Sequence, residues 1–262
     1  MKTVRTIMEV RAELPSEGVG LVPTMGALHA GHIALFEAAR RECAFLVASV
    51  FVNPAQFGPD EDYERYPRDQ KADAKVAEAA GVDLLFAPST DEMYPAGFDT
   101  WVEVENLGRA LEGQFRPRHF TGVATICLKL FNIIRPERAY FGQKDAQQVA
   151  VVKQMVRDLD LALEIRVVPT VRDPDGLAVS SRNVYLSADE RRRALTLPRA
   201  LAAGEAAHRS GQDPVEAART SMNGLDVDYV EAVRLDGQLV LEAAVRVGGT
   251  RLIDNVVLEG ER

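Results

Sequence analysis

The chain has 262 residues, enough for one large domain or for a large and a small one. Apolar residues make up 47% and charged residues 27%, so a sizeable core is available without disulfide bonds. The formal net charge is −8 and no basic stripe is visible, which argues against nucleic acid as a partner. The densest basic run, Arg191 to Arg193, follows an acidic pair and is interpreted as a solvated helix face.

Two further features concern location. Cys43 and Cys127 are flanked by apolar residues and have neither metal-ligand spacing nor a disulfide framework, so we expect buried thiols in a cytoplasmic protein. Residues 1–14 lack the apolar core of a signal peptide, and the apolar run 45–52 is too short to span a bilayer. The sequence therefore predicts no role at a membrane.

In chain order, the first two-thirds of the sequence alternates strand and helix patterns. Continuous apolar runs bounded by turn residues are typical of buried strands, and apolar residues at helical spacing predict helices between them. The predicted strands are 19–23, 45–53, 82–88 and 163–171, and the predicted helices are 33–43, 69–80, 123–134 and 145–159. This alternation predicts an α/β fold, a Rossmann-like parallel sheet with helices on both faces.

The pattern changes after residue 171. Ser187 and Glu190 form a capping-box signature that predicts one long helix toward Arg209, and Asp213 with Pro214 opens another helix. Strands are predicted at 228–235, 243–247 and 251–258. Helices followed by a small antiparallel sheet indicate a smaller α+β domain at the C-terminal end. We therefore divide the chain into domains 1–171 and 172–262.

The first segment with a chemical signature is 22–32, where a strand ends in a glycine-bearing turn. In open α/β sheets, ligands bind beyond the carboxyl ends of the strands, where helix N-termini offer unpaired amides to phosphates. His29 and His32 are three residues apart, so they share one face of a helical turn. Two imidazoles there are suited to donating to phosphate oxygens as pyrophosphate departs. The alternative is a helix-capping turn with incidental histidines.

Four other segments carry polar groups at predicted strand or helix ends. Asn53 and Gln56 lie in 51–57, where uncharged amides can orient the oxygens of a small substrate. Lys144, in 141–148, supplies a point charge suited to phosphate. The segments 112–122 and 173–183 are glycine-containing loops with arginine, and the second also has two adjacent serines. Taken alone, each is also consistent with an ordinary turn, a capping box or a solvated loop.

Together the five segments resemble the pantothenate synthetase (pantoate–β-alanine ligase) family over nearly the whole chain. The resemblance rests on PTMGALHAGH at 23–32, FVNPAQF at 51–57, EGQFRPRHFTGV at 112–123, FGQKDAQQ at 141–148 and SSRN at 180–183. HAGH is similar to the HxGH signature of the nucleotidylyltransferase superfamily, and 179–182 is similar to its KMSKS-type loop. Val179 replaces a bulkier apolar residue of the family pattern. The region beyond Asn183 is the least distinctive.

The resemblance implies a two-step reaction. The carboxylate of (R)-pantoate attacks the α-phosphate of Mg-ATP, giving pantoyl adenylate and pyrophosphate, and the amine of β-alanine then forms pantothenate and releases AMP. ATP and Mg²⁺ are the expected cofactors, with no metal cage built by the protein itself. A homodimer is the expected assembly.

The resemblance also implies roles for individual residues. The catalytic group is expected to be His32 (as proton donor), His29, Lys144, Ser180, Ser181 and Arg182. ATP is expected to be bound by Met25, Gly26, Ala27, Leu28, His29, Ala30, Gly31, His32, Gly142, Gln143, Lys144, Asp145, Val171, Val179, Ser180, Ser181 and Arg182. Pantoate is expected to be held by Gln56 and Gln148, with Gln56 also near β-alanine. Supporting positions are Asn53, Tyr66, Glu112 and Arg116.

Two other functions are compatible with the same motifs. Another HxGH nucleotidylyltransferase would transfer a nucleotide to a phosphate acceptor, whereas Gln56 and Gln148 suit a hydroxy acid better. A non-catalytic nucleotide sensor on the same fold would be expected to have lost a histidine or Lys144, and this chain keeps all three.

Overall fold

The computed structural model describes residues 1–59 and 61–259. Contacts group the chain into two compact units. The first unit comprises Met1–Gly142 and Gln148–Val168, and the second comprises Gln143–Gln147 and the described residues from Pro169 onward. No helix within the described ranges is long and apolar enough to cross a membrane.

The first unit is built on a six-stranded parallel sheet. Its strands are β1 (Lys2–Val4), β2 (Val19–Thr24), β3 (Phe45–Val50), β4 (Leu84–Phe86), β5 (Arg138–Gly142) and β6 (Glu164–Val168). Their spatial order is β1-β4-β3-β2-β5-β6, and every pairing is parallel. From β2 the chain builds outward to β3 and β4, and later to β5 and β6 on the other side. The strand order therefore reverses between β2 and β5, which is where such sheets bind ligands.

Helices cover both faces of this sheet. They are α1 (Ile7–Glu13), α2 (Ala30–Glu42), α3 (Gln70–Ala79), α4 (Thr90–Met93), α5 (Glu105–Arg109), α6 (Glu112–Phe115), α7 (His119–Ile134) and α8 (Ala146–Asp158). Neighbouring residues of β2 enter different cores, Leu21 with residues of α7 and α8 and Val22 with residues of α2. Because side chains alternate along a strand, both faces of β2 are buried, and the predicted two-sided parallel sheet is confirmed.

The second unit combines helices with an antiparallel sheet. Its helices are α9 (Ala188–Ala194), α10 (Thr196–Arg209) and α11 (Pro214–Ser221), and its strands are β7 (Asp226–Leu235), β8 (Gln238–Val247) and β9 (Thr250–Glu259). The strands pair antiparallel in the order β7-β8-β9. A separate core joins Leu201 of α10 to Leu241 and Leu252 of the sheet. The smaller α+β part expected from the sequence is confirmed.

Several predicted boundaries are wrong. The single helix expected from Ser187 to Arg209 is two helices with Leu195 between them, although the predicted capping box is present. Pro198 explains the break, because it has no N–H to donate to the carbonyl of Ala194 four residues earlier. The strand expected over 45–53 ends at Val50, and the chain continues into a 3₁₀ turn, Pro54–Gln56. Strand β1 was not predicted.

Candidate active site

The turn after β2 has a backbone that few residues adopt. Gly26 and Ala27 have positive φ angles of 85° and 52°. The N–H groups of Ala27 and Leu28 donate to Asp73 Oδ2 and Oδ1 at 3.1 and 2.8 Å. A Cβ on Gly26 would lie 2.7 Å from Asp73 Oδ2, so glycine is needed for this close approach. The turn is therefore clamped by one carboxylate.

Asp73 is a residue that the sequence did not reveal. It lies on α3 and is 4% exposed, which is unusual for a carboxylate outside an ion pair. Two backbone donors satisfy it and fix the segment that precedes the histidines. From sequence alone, an acidic residue in the first turn of a helix indicates only a favourable interaction with the helix dipole. The sequence does not show that Asp73 is buried, and its burial is what marks it as important.

His29 and His32 form the beginning of α2. His29 is the N-cap, and its Nδ1 accepts from the N–H of Gly31 at 3.2 Å. The Nδ1 of His32 accepts from the N–H of His29, also at 3.2 Å, and the ring centroids are 4.1 Å apart. Because each Nδ1 is an acceptor, the proton of each neutral ring lies on Nε2. The capping alternative is thus correct as a structure, since backbone N–H groups hold both rings through Nδ1.

The Asn53 side chain fixes the orientation of Gln56. Asn53 is 1% exposed; its Oδ1 accepts from Ala55 N at 3.2 Å and from the Tyr94 hydroxyl at 2.9 Å. Its Nδ2 donates to the carbonyl of Gly122 at 3.1 Å and to Gln56 Oε1 at 2.9 Å. A backbone N–H can only donate and a carbonyl can only accept, so the Asn53 amide has one possible orientation. Gln56 must then present Oε1 to Asn53 and its NH₂ group away from it.

Burial strengthens this arrangement. It raises the pKa of the Tyr94 phenol, so the hydroxyl stays protonated and remains a donor to Asn53. Gly122 allows α7 to approach the 3₁₀ turn, since a Cβ there would lie 2.3 Å from the carbonyl oxygen of Ala55. The supporting role of Asn53 at a ligand site stays a prediction.

A second set of contacts holds the backbone of Gln56. Its carbonyl accepts from Arg116 Nη2 at 3.2 Å and from His119 Nδ1 at 2.9 Å. Arg116 also forms a two-pronged ion pair with Glu61, at 2.6 and 3.0 Å, and contacts His119 Nε2 at 3.2 Å. The segment 112–122 therefore braces the end of the segment 51–57. Glu112 is buried and lies 4.0 Å from Arg116.

Two further predicted residues lie at the end of β5 and near the start of α8. Gly142 is the last residue of β5, and a Cβ there would meet no atom within 4 Å. Gln148, partly buried near the start of α8, lies where the chain returns to the first unit. Tyr66, another supporting position, is buried and packs edge-on against Phe57. The turn 25–32 and the end of β5 thus lie on either side of the switch point, the place between β2 and β5 where the strand order reverses.

In the second unit, the structure places Gln143, Lys144 and Asp145 in a 3₁₀ turn. Lys144 Nζ lies 3.4 Å from Asp145 Oδ1. The amide of Asn255 donates to the carbonyls of Gln143 and Lys144, both at 2.9 Å. The sequence-based boundary put these residues with the first domain. They group with the second unit because of this contact with β9.

The predicted residues Val171 and Val179 lie opposite each other at the ends of a hairpin. Val179 N donates to Val171 O at 2.9 Å, and Arg172 forms an antiparallel bridge with Ala178. Ser180 caps the 3₁₀ turn Ser181–Tyr185, with its hydroxyl accepting from the N–H of Arg182 at 3.3 Å. The hairpin therefore holds Val171 next to the segment 179–182, and both were predicted to bind ATP.

The interpretation of Arg191 from the sequence is wrong. Arg191 was interpreted as part of a solvated face, but its guanidinium binds Asp173 at 2.7 Å and Asp175 at 2.8 Å, both in the tip of the hairpin. The hydrogen bond from Arg191 holds the pKa of Asp175 below its usual value. Arg192 and Arg193, by contrast, are exposed. The tip of the hairpin is thus anchored to α9.

A cavity of about 430 Å³ lies elsewhere on the first unit and is lined by none of the residues predicted to bind ATP or pantoate. Its wall includes Trp101, over which the Arg118 guanidinium lies 5.6 Å from the ring centroid. Both cysteines are buried free thiols, as expected. Burial raises the pKa of the Cys127 thiol to about 12, which makes it an inert core residue.

The fold and the turn define a class. This is a nucleotide-binding α/β protein of the nucleotidylyltransferase type, with an HxGH segment that caps a helix beside the switch point of a parallel sheet. Within that class, the chain belongs to the pantoate–β-alanine ligase family, whose model matches residues 1–257. It is a ligase of pantothenate biosynthesis that forms an amide bond.

Relatives and solved structures agree with this assignment. The pantothenate synthetase of Chloroflexus aurantiacus is 51% identical over 280 residues, covering 100% of this chain and 99% of that protein. The crystal structure of pantothenate synthetase from Thermus thermophilus has a TM-score of 0.96 at 50% identity, with 99% and 100% of the two chains covered. A structure of pantoate–β-alanine ligase from Francisella tularensis, complexed with β-γ ATP and β-alanine, has a TM-score of 0.85 at 35% identity, covering 100% and 99%.

Proposed function

We propose that the chain condenses (R)-pantoate with β-alanine through a pantoyl-adenylate intermediate, using ATP and releasing AMP and pyrophosphate. The pantoate carboxylate attacks the α-phosphorus, and the β-alanine nitrogen then attacks the acyl carbon. Both nucleophiles come from the substrates, so the protein needs no covalent nucleophile of its own. Its contribution is positioning and the stabilisation of charge.

The observation that supports this most strongly is the oriented amide of Gln56. Because Asn53 occupies Oε1, the side chain offers N–H donors and not an acceptor to a ligand. Donors are what a carboxylate requires, and a phosphate ester would favour a cationic group at this position. We assign pantoate to Gln56 and Gln148, with β-alanine also near Gln56. The β-alanine bound to the Francisella tularensis relative is consistent with this substrate.

ATP is assigned to residues of each unit. In the first unit, Met25 to His32 and Gly142 bind the nucleotide; the Nε2–H groups of His29 and His32 donate to phosphate oxygens, and His32 acts as proton donor. In the second unit, Lys144 and the segment 179–182 bind the phosphates. Asp145 contacts the ribose, and Val171 contacts the adenine. The ATP analogue named in the complex of the Francisella tularensis relative supports a nucleotide substrate.

Mg²⁺ is proposed as part of the Mg-ATP substrate. Among the described residues, no cluster of three or more His, Cys, Asp or Glu side chains could hold a metal ion. In such substrates magnesium is held mainly by phosphate oxygens and water. We also propose that the protein is a cytoplasmic homodimer. Its domains are proposed to be 1–171, which binds the nucleotide and pantoate, and 172–262.

The test is a complete reaction with single omissions. Purified protein is incubated with ATP, Mg²⁺, pantoate and β-alanine, and AMP and pantothenate are followed by mass spectrometry. We expect both products only in the full mixture. Without β-alanine, pyrophosphate should appear in an amount close to the enzyme concentration, because the adenylate stays bound. Pyrophosphate release at the same rate with and without pantoate would contradict the proposal and direct the search to other acids.

A further inference from the structure

The side chain of Asn255, on β9, forms hydrogen bonds to the turn Gln143–Asp145 through both its nitrogen and its oxygen. Asn255 is 4% exposed. Its Nδ2 donates to the carbonyls of Gln143 and Lys144, both at 2.9 Å, and its Oδ1 accepts from Gln143 Nε2 at 3.3 Å. The two N–H bonds of one amide thus meet two successive carbonyls, and its oxygen meets a third group. The residues joined are more than a hundred positions apart in the sequence.

An ion pair between Arg172 and a buried carboxylate fixes the strand at this point. Asp254 is 2% exposed and receives Arg172 Nη1 and Nη2 on its two oxygens at 2.6 and 3.0 Å. Asp254 Oδ1 also accepts from the backbone N–H of Asn255 at 2.9 Å. Two-pronged arginine–carboxylate pairs combine strength with a defined geometry. The backbone that carries Asn255 is therefore held by a carboxylate that is itself fully paired.

We propose that Asn255 is a positioning residue for Lys144, acting through the backbone of the Gln143–Asp145 turn. The inference rests on the proposed role of Lys144 at the ATP phosphates. A lysine side chain has four rotatable bonds, so the position of its ammonium depends on how firmly its backbone is held. Lys144 is mostly buried, with its side chain 19% exposed. Displacing a catalytic group by about 1 Å costs on the order of 100-fold in rate.

A double-mutant cycle tests the proposal in the full-length protein. The variants are Asn255→Ala, Lys144→Ala and the double variant, and the measurement is pantoate-dependent exchange of labelled pyrophosphate into ATP. We expect Asn255→Ala to lower kcat/KM for ATP by about tenfold or more, since both side-chain hydrogen bonds to the backbone of the turn are lost. In the Lys144→Ala background the same change should cost less than about twofold, because the group it positions is gone.

Leu252→Ala is the matched control. Leu252 is a buried core residue of the same strand, so its truncation destabilises the small sheet without touching the turn. We expect a lower Tm for this variant with near-normal exchange measured below that Tm. If Asn255→Ala proves too unstable, Asn255→Ser keeps one hydroxyl donor and should show a smaller loss with the same non-additivity.

The outcomes separate this inference from the proposed function. Equal losses from Asn255→Ala in both backgrounds, or a similar loss in Leu252→Ala, would overturn the positioning role. So would normal exchange in Lys144→Ala, since no role would remain for Asn255 to support. Exchange by the unmodified protein that does not depend on pantoate would instead remove the proposed function itself.

Discussion

At the scale of single residues, the orientation of one polar group decides what chemistry the candidate site offers. Asn53 fixes the Gln56 amide, and backbone N–H groups fix the tautomers of His29 and His32. The Gln56 amide therefore presents N–H donors before any ligand arrives. Preorganised donors stabilise developing charge without reorganising during the reaction. The first two predictions therefore separate the donor atom of a side chain from its structural contact.

The first prediction concerns His29. In His29→Asn, the asparagine oxygen can still accept from Gly31 N and cap α2, but the Nε2–H donor is lost. We expect kcat to fall by about 100-fold or more, with a Tm close to that of the unmodified protein. His29→Ala should lose the same activity and also about 1 kcal/mol of stability from the missing cap.

A histidine of the second unit serves as control. His208 lies on α10 and contacts Glu259 at 3.2 Å. His208→Asn should leave kcat unchanged. If His29→Asn restored the activity that His29→Ala loses, His29 would be a helix cap and nothing more.

The second prediction concerns Gln56. In Gln56→Glu, one carboxylate oxygen can still accept from Asn53 Nδ2, but the other puts negative charge where the amide donated. We expect the KM for pantoate to rise by at least about tenfold while the KM for ATP changes by less than about twofold. Steady-state kinetics with each substrate varied in turn provides the measurement.

Gln212→Glu adds the same charge at an exposed position of the second unit and should change neither KM. Equal increases in both KM values for Gln56→Glu would show that the variant disturbs the site as a whole. In that case Gln56 would have no specific relation to pantoate.

The sequence identified residues that are candidates to bind a ligand, but it missed the residues that fix the backbone around these candidates. His29, Gln56 and Lys144 lie in short motifs at predicted strand ends, so local pattern was sufficient to find them. Asp73 contacts residues 45 and 46 positions away, and Asn255 contacts residues 111 and 112 positions away. Such contacts exist only in the folded chain, because tertiary packing decides which carboxylates and amides are buried.

At the scale of elements, most strands were found, but several of their ends were not. Period and apolar content identified β2, β3 and β6, since strands of a parallel sheet are buried on both faces. β1 was missed because it has three residues, of which only Val4 is buried. The break between α9 and α10 follows from Pro198, a local signal that the regular apolar spacing of the segment concealed.

The third prediction compares two glycines at the ends of elements. A Cβ on Gly122 would lie 2.3 Å from the carbonyl oxygen of Ala55 and 2.9 Å from Gln56 N, whereas one on Gly142 would meet no protein atom within 4 Å. Gly122→Ala should therefore lower Tm and displace the Gln56 turn, which raises the KM for pantoate. Gly142→Ala should keep its Tm and raise the KM for ATP, because the new methyl group meets the nucleotide.

Thermal unfolding and kinetics on both variants check this pair. Gly249→Ala is the control for the substitution itself, since a Cβ there also meets no atom within 4 Å and the backbone has no positive φ. A normal ATP KM in Gly142→Ala would contradict the assignment of this strand end to ATP.

At the scale of the whole molecule, the two compact units do not correspond to one cut in the sequence. The chain passes between them after Gly142, after Gln147 and after Val168. The predicted boundary at 171 lies near the last of these points, where the alternation of strands and helices stops. The short excursion of Gln143–Gln147 has no compositional signal, because it depends on the hydrogen bonds from Asn255.

The last prediction uses stability to report binding by the intact protein. A ligand that binds only the folded state stabilises it by about 2.7 kcal/mol at 100 times its Kd. For a protein of this size, saturating Mg-ATP should then raise Tm by roughly 5–10 °C. With Mg-ATP alone, no AMP should appear, because the acceptor carboxylate is missing. Gly142→Ala should shift the midpoint of the Tm rise to higher ATP concentration, whereas Gln56→Glu should leave it in place. A Tm that does not respond to ATP would contradict nucleotide binding by the folded chain, and an unchanged midpoint in Gly142→Ala would place the nucleotide away from the end of β5.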